Sequence, residues 1–135
     1  MKFLTLAKLY AITLSLLCLI DIPWILIVAQ SFYKAQIGHL MTDNPVFWAA
    51  GLFYCLYTVG LLMFVIIPAV QVESIPNALF KGFMFGLIAY SAYDLTNLAT
   101  LKNWSLTMTA VDMLWGSTLS AMVSGLTVFF NKYTY

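Results

Sequence analysis

The sequence has few charged residues and no arginine. Charged side chains make up 8% of its 135 residues, against roughly 25% in soluble globular domains. A soluble fold of this size must cover a large surface with polar atoms, and six lysines with five acidic residues cannot do so. A net charge of +1 also excludes the clustered basic face that nucleic-acid binding requires. The composition therefore predicts a membrane protein that does not bind nucleic acid.

Residues that hold metals or act as nucleophiles are also scarce. His39 is the single histidine, and the two cysteines, Cys18 and Cys55, are far apart in the sequence. This set makes neither a metal site nor a disulfide framework. No serine motif accompanies His39, and the glycine motifs that bind phosphates or dinucleotides are missing. We therefore expect no metal and no cofactor.

Four long apolar stretches dominate what is present. They cover roughly residues 4–29, 46–70, 78–101 and 105–130, and each reaches the approximately 20 residues that cross a bilayer. Their apolar runs do not alternate with polar residues, and helices pair every backbone amide internally. The sequence therefore predicts an all-α membrane protein, in which residues 1–135 form one domain, a single bundle of four transmembrane helices.

Capping signals mark several helix boundaries. Asn44 and Pro45 are typical of an N-cap followed by a first-turn proline, so the second helix is expected to start there. Pro76 predicts the start of the third helix in the same way. Asn103 or Ser105 can cap the fourth helix. The segment from residue 30 to residue 45 is then expected to be a loop between the first two helices.

The lysine distribution predicts the orientation. With an even number of spans, both termini lie on one side of the membrane. That side holds four of the six lysines, and Lys34 and Lys102 lie on the other side. By the positive-inside rule this distribution favours cytoplasmic termini and places the 30–45 loop outside. The first span lacks the A-x-A type cleavage site of a signal peptide, so we expect it to be retained.

Three aspartates, Asp21, Asp94 and Asp112, lie inside predicted spans. A carboxylate at the bilayer centre costs roughly 2.5–3.5 kcal/mol on insertion scales, so such groups normally face the bundle interior and have partners. At about 1.5 Å per residue, each lies about 10–12 Å from the outer end of its helix. They are therefore expected at one level. Crowded carboxylates titrate as a coupled set, which suits a general acid or base, a proton-coupled site or a counter-ion for a cationic ligand.

Polar and aromatic residues accompany these aspartates. Tyr90, Asp94 and Asn97 fall at i, i+4 and i+7 on one helix face. The pattern Asp-x-x-Trp recurs on the first and fourth helices, and a tyrosine of the second helix reaches the same depth. The alternative is that these residues only hydrogen-bond the helices to one another. Three carboxylates at one level are more than helix packing alone should require. We expect a ligand pocket near the outer leaflet, formed by Asp21, Asp94, Asn97, Asp112, Trp24, Trp115, Tyr54 and Tyr90.

Small residues predict close helix contacts. Gly116, Ser120 and Ser124 recur at i+4 on the fourth helix, and Gly82 with Gly86 forms a G-x-x-x-G motif on the third. Such faces let helix backbones approach closely. They predict packing within the chain, and they could also bind a second copy in a homo-oligomer or a partner membrane protein. Membrane lipids are the other expected partners.

Two motifs carry a family resemblance. Tyr-Asp-Leu-Thr-Asn at residues 93–97 and Asp-x-x-Trp-Gly at residues 112–116 resemble the signature of the bacterial "domain of unknown function 2177" family, and the resemblance covers essentially the whole chain. It implies a multi-pass, four-helix protein of the bacterial inner membrane. It implies no established activity, although it suggests an association with membrane-lipid modification. Pro23 departs from the family pattern and is expected to kink the first helix.

These observations favour a multi-pass membrane protein that binds a small or lipid-like ligand through the intramembrane pocket. One alternative is a membrane-embedded enzyme in lipid modification, with an aspartate as general acid or base, or an accessory subunit of one. Another alternative is a small oligomeric transporter that uses the aspartates as proton carriers.

Overall fold

The computed structural model describes residues 2–133, so Met1, Thr134 and Tyr135, the ends of the predicted domain, lie outside the described residues. Within this range the chain is helical and contains no strand. The first rod consists of helix α1 (Phe3–Pro23) and a π-helix (Trp24–Val28). A short helix α2 (Gln30–Ile37) and a 3-10 turn (Gly38–Leu40) follow it.

Three further rods complete the fold. The second rod consists of α3 (Phe47–Leu61), a π-helix (Leu62–Ile66) and α4 (Ile67–Gln71). The third rod is α5 (Ile75–Thr100), and the fourth is α6 (Leu106–Tyr133). A short turn joins the second rod to α5, and another joins α5 to α6. Helix α5 therefore runs antiparallel to the second rod, and α6 runs antiparallel to α5.

Three of these rods are long and apolar enough to cross a membrane: Phe3–Val28, Phe47–Gln71 and Leu106–Tyr133. The third predicted span, residues 78–101, corresponds to α5, which has 26 residues but is not among the three. Many large apolar side chains point outward; Phe47 and Ile27 are each 78% exposed. A broad exposed apolar surface of this kind is typical of contact with lipid. The fold is therefore all-helical, with three candidate membrane spans.

The helix starts test the capping predictions. Pro76 lies in the first turn of α5, as predicted, and the Ser74 hydroxyl accepts a hydrogen bond from the Asn77 N–H at 3.2 Å. The Ser105 hydroxyl accepts from the Met108 N–H at 3.0 Å and so caps α6. Asn103 instead has a φ of 59° in the preceding turn, a left-handed conformation that asparagine tolerates.

The predicted cap at Asn44 is wrong. Helix α3 begins at Phe47, after Val46, and has no side-chain cap. The N–H of Asn44 instead donates to the Thr42 hydroxyl at 3.2 Å. This local hydrogen bond holds residues 42–44 in a turn, and the helix starts after it.

The segment predicted as the 30–45 loop contains α2. This helix lies across the end of the bundle where α1 ends and α6 begins, and a hydrogen bond between Ser105 and Gln36 joins α2 to α6. The loop prediction is therefore wrong for residues 30–40. The local pattern hid the helix because α2 has only eight residues, which is too short for a strong periodic signal. This end of the bundle is called the α2 end below.

The first rod changes from α- to π-helical geometry directly after Pro23. Proline lacks the N–H that would continue the α-helical ladder. The following backbone closes wider turns, and the Ala29 N–H donates to the Trp24 carbonyl at 2.7 Å. A π-helix thus follows the proline at which the kink is predicted, and π-helical turns are frequent at functional sites.

Helices α5 and α6 share the largest interface in the fold. A Cβ atom added at Gly86 would lie 2.3 Å from the Gly116 carbonyl oxygen, and one added at Gly82 would lie 2.6 Å from the Ser120 carbonyl oxygen. Only glycine permits backbones to approach this closely. The small-residue faces therefore pack within the chain, and the homo-oligomer or partner protein remains a prediction.

Candidate functional site

Asp21 lies at the meeting point of three rods. Its side chain is 3% exposed. The Tyr54 hydroxyl of α3 donates to Asp21 Oδ2 at 2.7 Å, and the Trp115 indole N–H of α6 donates to Asp21 Oδ1 at 2.8 Å. Each carboxyl oxygen therefore has a donor from a different helix. Short hydrogen bonds of this kind fix the carboxyl group and tie α1, α3 and α6 together.

A second hydrogen-bonded chain reaches Asp112. The Trp24 indole N–H donates to the Tyr33 hydroxyl at 3.1 Å, and that hydroxyl donates to Asp112 Oδ1 at 2.9 Å. Burial, with the nearby Asp112 charge second, raises the pKa of Tyr33 above its ordinary value, so the hydroxyl keeps its proton as a donor. Tyr33 belongs to α2, so this contact also anchors α2 over the site.

Stacked indole rings join the hydrogen bonds at Asp21 to those at Asp112. The rings of Trp24 and Trp115 lie 4.0 Å apart between centroids, at an interplanar angle of 9°. Trp24 is linked to Asp112 through the Tyr33 hydroxyl, and Trp115 donates directly to Asp21. One aromatic pair therefore connects both aspartates, and the recurrence of Asp-x-x-Trp on two helices has a structural counterpart in this stack.

Asp94 is fully buried and has no conventional partner. Neither of its oxygens receives a hydrogen bond from a hydroxyl, amide or indole group of the described residues. Its nearest ionisable neighbour is instead the carboxyl group of Asp112. Two carboxyl groups form a hydrogen bond only when one of them carries a proton. This pair can therefore hold, release or accept a proton.

A cavity of about 520 Å³ lies beside these groups, on the α2 side of the bundle. Two aspartates contribute to its wall, Asp21 and Asp112, and the rest of the wall is apolar or aromatic. All four rods and α2 contribute to the lining, which is formed by Asp21, Ile25, Tyr33, Ile37, Met41, Ala50, Phe53, Tyr54, Tyr57, Ala89, Tyr90, Tyr93, Met108, Asp112 and Trp115.

Five of the eight residues predicted for the pocket line this cavity: Asp21, Asp112, Trp115, Tyr54 and Tyr90. The other three lie around it. Asp94 contacts Asp112 and Trp24 stacks on Trp115. Asn97 is not part of the cavity wall; its side chain lies near Tyr93, one turn earlier on α5.

Tyr33 is not among the residues predicted for the site, although it lines the cavity. Its position in the 30–45 segment, next to Phe32, is typical of an aromatic residue at the membrane interface. The useful signal was the spacing of Tyr33 and Ile37, which are four residues apart and therefore share a helix face. Both line the cavity. That signal required α2 to be recognised as a helix.

The chemistry available at the site is that of carboxyl groups, hydroxyl groups and aromatic rings. No group of three or more His, Cys, Asp or Glu residues within residues 2–133 is arranged to hold a metal ion. The three aspartates can accept hydrogen bonds, and the Asp94–Asp112 pair can transfer a proton. The cavity gives an apolar molecule room beside these groups.

The family described as "Predicted membrane protein (DUF2177)" matches residues 6–129 of the chain. The matched range includes both hydrogen-bonded chains, the Asp94–Asp112 pair and the whole cavity wall. No curated protein and no solved structure matches the chain.

Proposed function

The chain belongs to the DUF2177 family of predicted membrane proteins, and from this premise we propose that it binds a lipid-like ligand in the cavity. The observation that carries the proposal is a cavity of about 520 Å³ with two buried aspartates in an otherwise apolar and aromatic wall. Ligand sites are typically clefts of about 300–1,000 Å³, mostly apolar, with a few convergent polar groups that fix orientation.

The proposal includes a lateral entrance for such a ligand. Helix α5 packs against the second rod at the π-helix Leu62–Ile66, away from the α2 end. Nearer the α2 end the wall residues Phe53 and Tyr93 are 45% and 52% exposed. We infer from these exposures that the cavity opens between α3 and α5 at this depth, toward the surrounding lipid. A chain-like molecule could therefore enter from the bilayer without crossing water.

We further propose that α5 is a fourth span, with the protein in a bacterial inner membrane and both termini cytoplasmic. The contacts support four spans because α5 connects the far end of the second rod to the start of α6, at the α2 end. Its 26 residues extend about 39 Å at 1.5 Å per residue, which is enough to cross a hydrocarbon core of about 30 Å. The cytoplasmic assignment rests on the lysine distribution.

Native mass spectrometry from a mild detergent tests the ligand proposal. We expect a co-purifying lipid-like species that remains bound to the wild-type chain. Ala50 lines the cavity and is solvent-exposed, so Ala50→Phe should fill the cavity without straining the core. Ala49→Phe is the matched control, because Ala49 is exposed and is not part of the wall.

The expected result is loss of the bound species in Ala50→Phe and its retention in Ala49→Phe. Equal retention in both variants, or a wild-type chain without any bound species, would contradict the proposal. The same spectra give the mass of the assembly and therefore also test the predicted homo-oligomer.

A membrane-embedded enzyme of lipid modification is a second candidate. The observation that favours it is the Asp94–Asp112 carboxyl pair, because Asp112 lines the cavity and a shared proton could be given to, or taken from, a bound lipid. Chemical change of an isotopically labelled lipid by the wild-type protein, lost in Asp112→Asn, would support this role. Unchanged lipid after incubation with the folded protein would leave binding as the function.

A further inference from the structure

We propose that the ligand head group is an organic cation, such as an amine or a trialkylammonium group, carried on an apolar tail. This inference rests on the proposed function, because it names the class of ligand that the cavity would take. It follows from three features of the wall: the sign of its charges, the use already made of its hydrogen-bond donors, and the arrangement of its aromatic rings.

The ionisable groups around the cavity are acidic. Asp21 and Asp112 line the wall, and Asp94 lies directly behind Asp112. Among the described residues, the wall contains no lysine, arginine or histidine. An anionic head group would have no cationic partner here, and an unpaired charge in a low-dielectric site is costly. A cation would complement the wall.

The hydrogen-bond donors that lie beside the aspartates of the wall are already used. Tyr54 and Trp115 donate to Asp21, and Tyr33 donates to Asp112. A phosphate or carboxylate ligand beside Asp21 or Asp112 would therefore have to break these hydrogen bonds to obtain donors there. The unfilled capacity of the wall is for acceptance, because Tyr33 donates to one oxygen of Asp112 and no donor of the described residues reaches the other. An acceptor without a donor is the feature that a cationic group satisfies.

Aromatic rings provide the remaining contacts. The rings of Tyr57 and Tyr90 are 6.2 Å apart between centroids and meet at 82°. Tyr93 and Phe53 also line the cavity. Ring faces attract cations through the ring quadrupole, and walls of several aromatic rings are a known mode of quaternary ammonium recognition. The apolar part of the wall, which includes Ile25, would then contact the tail.

A set of ligands with one common tail separates charge from hydrophobicity. Dodecyltrimethylammonium, dodecyl sulfate and dodecanol carry the same chain, and choline supplies a cationic head without it. Each is titrated, below its micelle concentration, into the full-length protein in decyl maltoside. Tryptophan fluorescence reports binding, because Trp115 lines the cavity and stacks on Trp24. Ala50→Phe verifies that the signal comes from the cavity.

We expect dodecyltrimethylammonium to bind at least about tenfold more tightly than dodecanol, and dodecyl sulfate and choline to bind more weakly than either. Asp112→Asn should weaken cation binding about 10- to 100-fold, the range of a charge-assisted contact, and leave dodecanol binding unchanged. The asparagine can still accept from Tyr33, so the site should remain folded. Asp94→Asn is the second variant, and Asp43→Asn, in the exposed 41–46 segment, is the control.

The results distinguish this inference from the proposed function. Equal affinities for the ammonium compound and dodecanol would overturn the cationic head group and leave the lipid-binding cavity standing. Choline binding as tight as that of the amphiphile would overturn the requirement for a tail. Failure of every amphiphile to bind, or binding that Ala50→Phe does not change, would overturn both proposals.

Discussion

Substitution of Gly86 by alanine should weaken the contact between α5 and α6. A Cβ atom at this position would lie 2.3 Å from the Gly116 carbonyl oxygen, where ordinary contact begins at 3.4 Å. The obstacle is backbone, so the helices must separate by about 1 Å, and a gap of that size forfeits about a quarter to a half of each contact's dispersion energy. Overpacking of this kind costs typically 1–3 kcal/mol.

Alanine also has a higher helix propensity than glycine, by about 1 kcal/mol. The net expectation for Gly86→Ala is therefore a loss of up to about 2 kcal/mol in the free energy of unfolding, and of about 1–3 kcal/mol relative to a glycine replaced without overpacking. Gly51→Ala is the matched control, because nothing lies within 4 Å of a Cβ atom there and only the propensity gain remains. Titration of sodium dodecyl sulfate into mild-detergent micelles, followed by far-ultraviolet circular dichroism, measures both variants. A Gly86→Ala protein as stable as Gly51→Ala would refute the close packing of α5 on α6.

Three further predictions concern the α2 end. Tyr54→Phe removes one of the two donors to buried Asp21, and should lower the free energy of unfolding by about 1–2 kcal/mol; no loss in the same titration would argue against the hydrogen bond. Asp94→Asn should keep or raise the free energy of unfolding, because the asparagine amide can donate to the neighbouring carboxyl group; a large loss would mean that the fold requires a carboxyl group at this position. Gln36 of α2 and Ser105 at the start of α6 are hydrogen-bonded, so cysteines replacing both should form a disulfide on mild oxidation. The disulfide would be seen as a mobility shift in non-reducing electrophoresis, and absence of the shift would place α2 away from α6.

The proximity of the aspartates could be predicted because it depends mainly on distance along the helices. Asp21 and Asp112 both line one cavity, and Asp94 contacts Asp112. Their positions follow from the helix rise and from the turn that joins α5 to α6. Such features depend on local geometry, which the sequence specifies directly.

The partners of these aspartates could not be predicted, because they depend on contacts between distant residues. Tyr33 and Asp112 are 79 residues apart, and their hydrogen bond requires α2 to fold over the end of the bundle. The π-helix after Pro23 adds a further difficulty. Its wider turns change the helical register, so the face on which Trp24 lies does not follow from 3.6-residue periodicity.

Asn97 shows where the periodic argument extended too far. It shares a helix face with Tyr90 and Asp94, as expected from i, i+4 and i+7 spacing. However, it lies one turn nearer the end of α5, beyond the cavity, and its side chain contacts Tyr93 instead. Spacing predicted the face correctly, but the extent of the cavity along that face depends on how the rods diverge.

The central claim is that carboxyl groups from separate helices surround a cavity that holds an amphiphilic molecule. Electron cryomicroscopy of the protein in lipid nanodiscs, with a bound antibody fragment for alignment, tests it most directly. We predict elongated density between α3 and α5 that ends in contact with Asp112. A map in which the rods close on each other and the three aspartates contact only protein groups would contradict the claim.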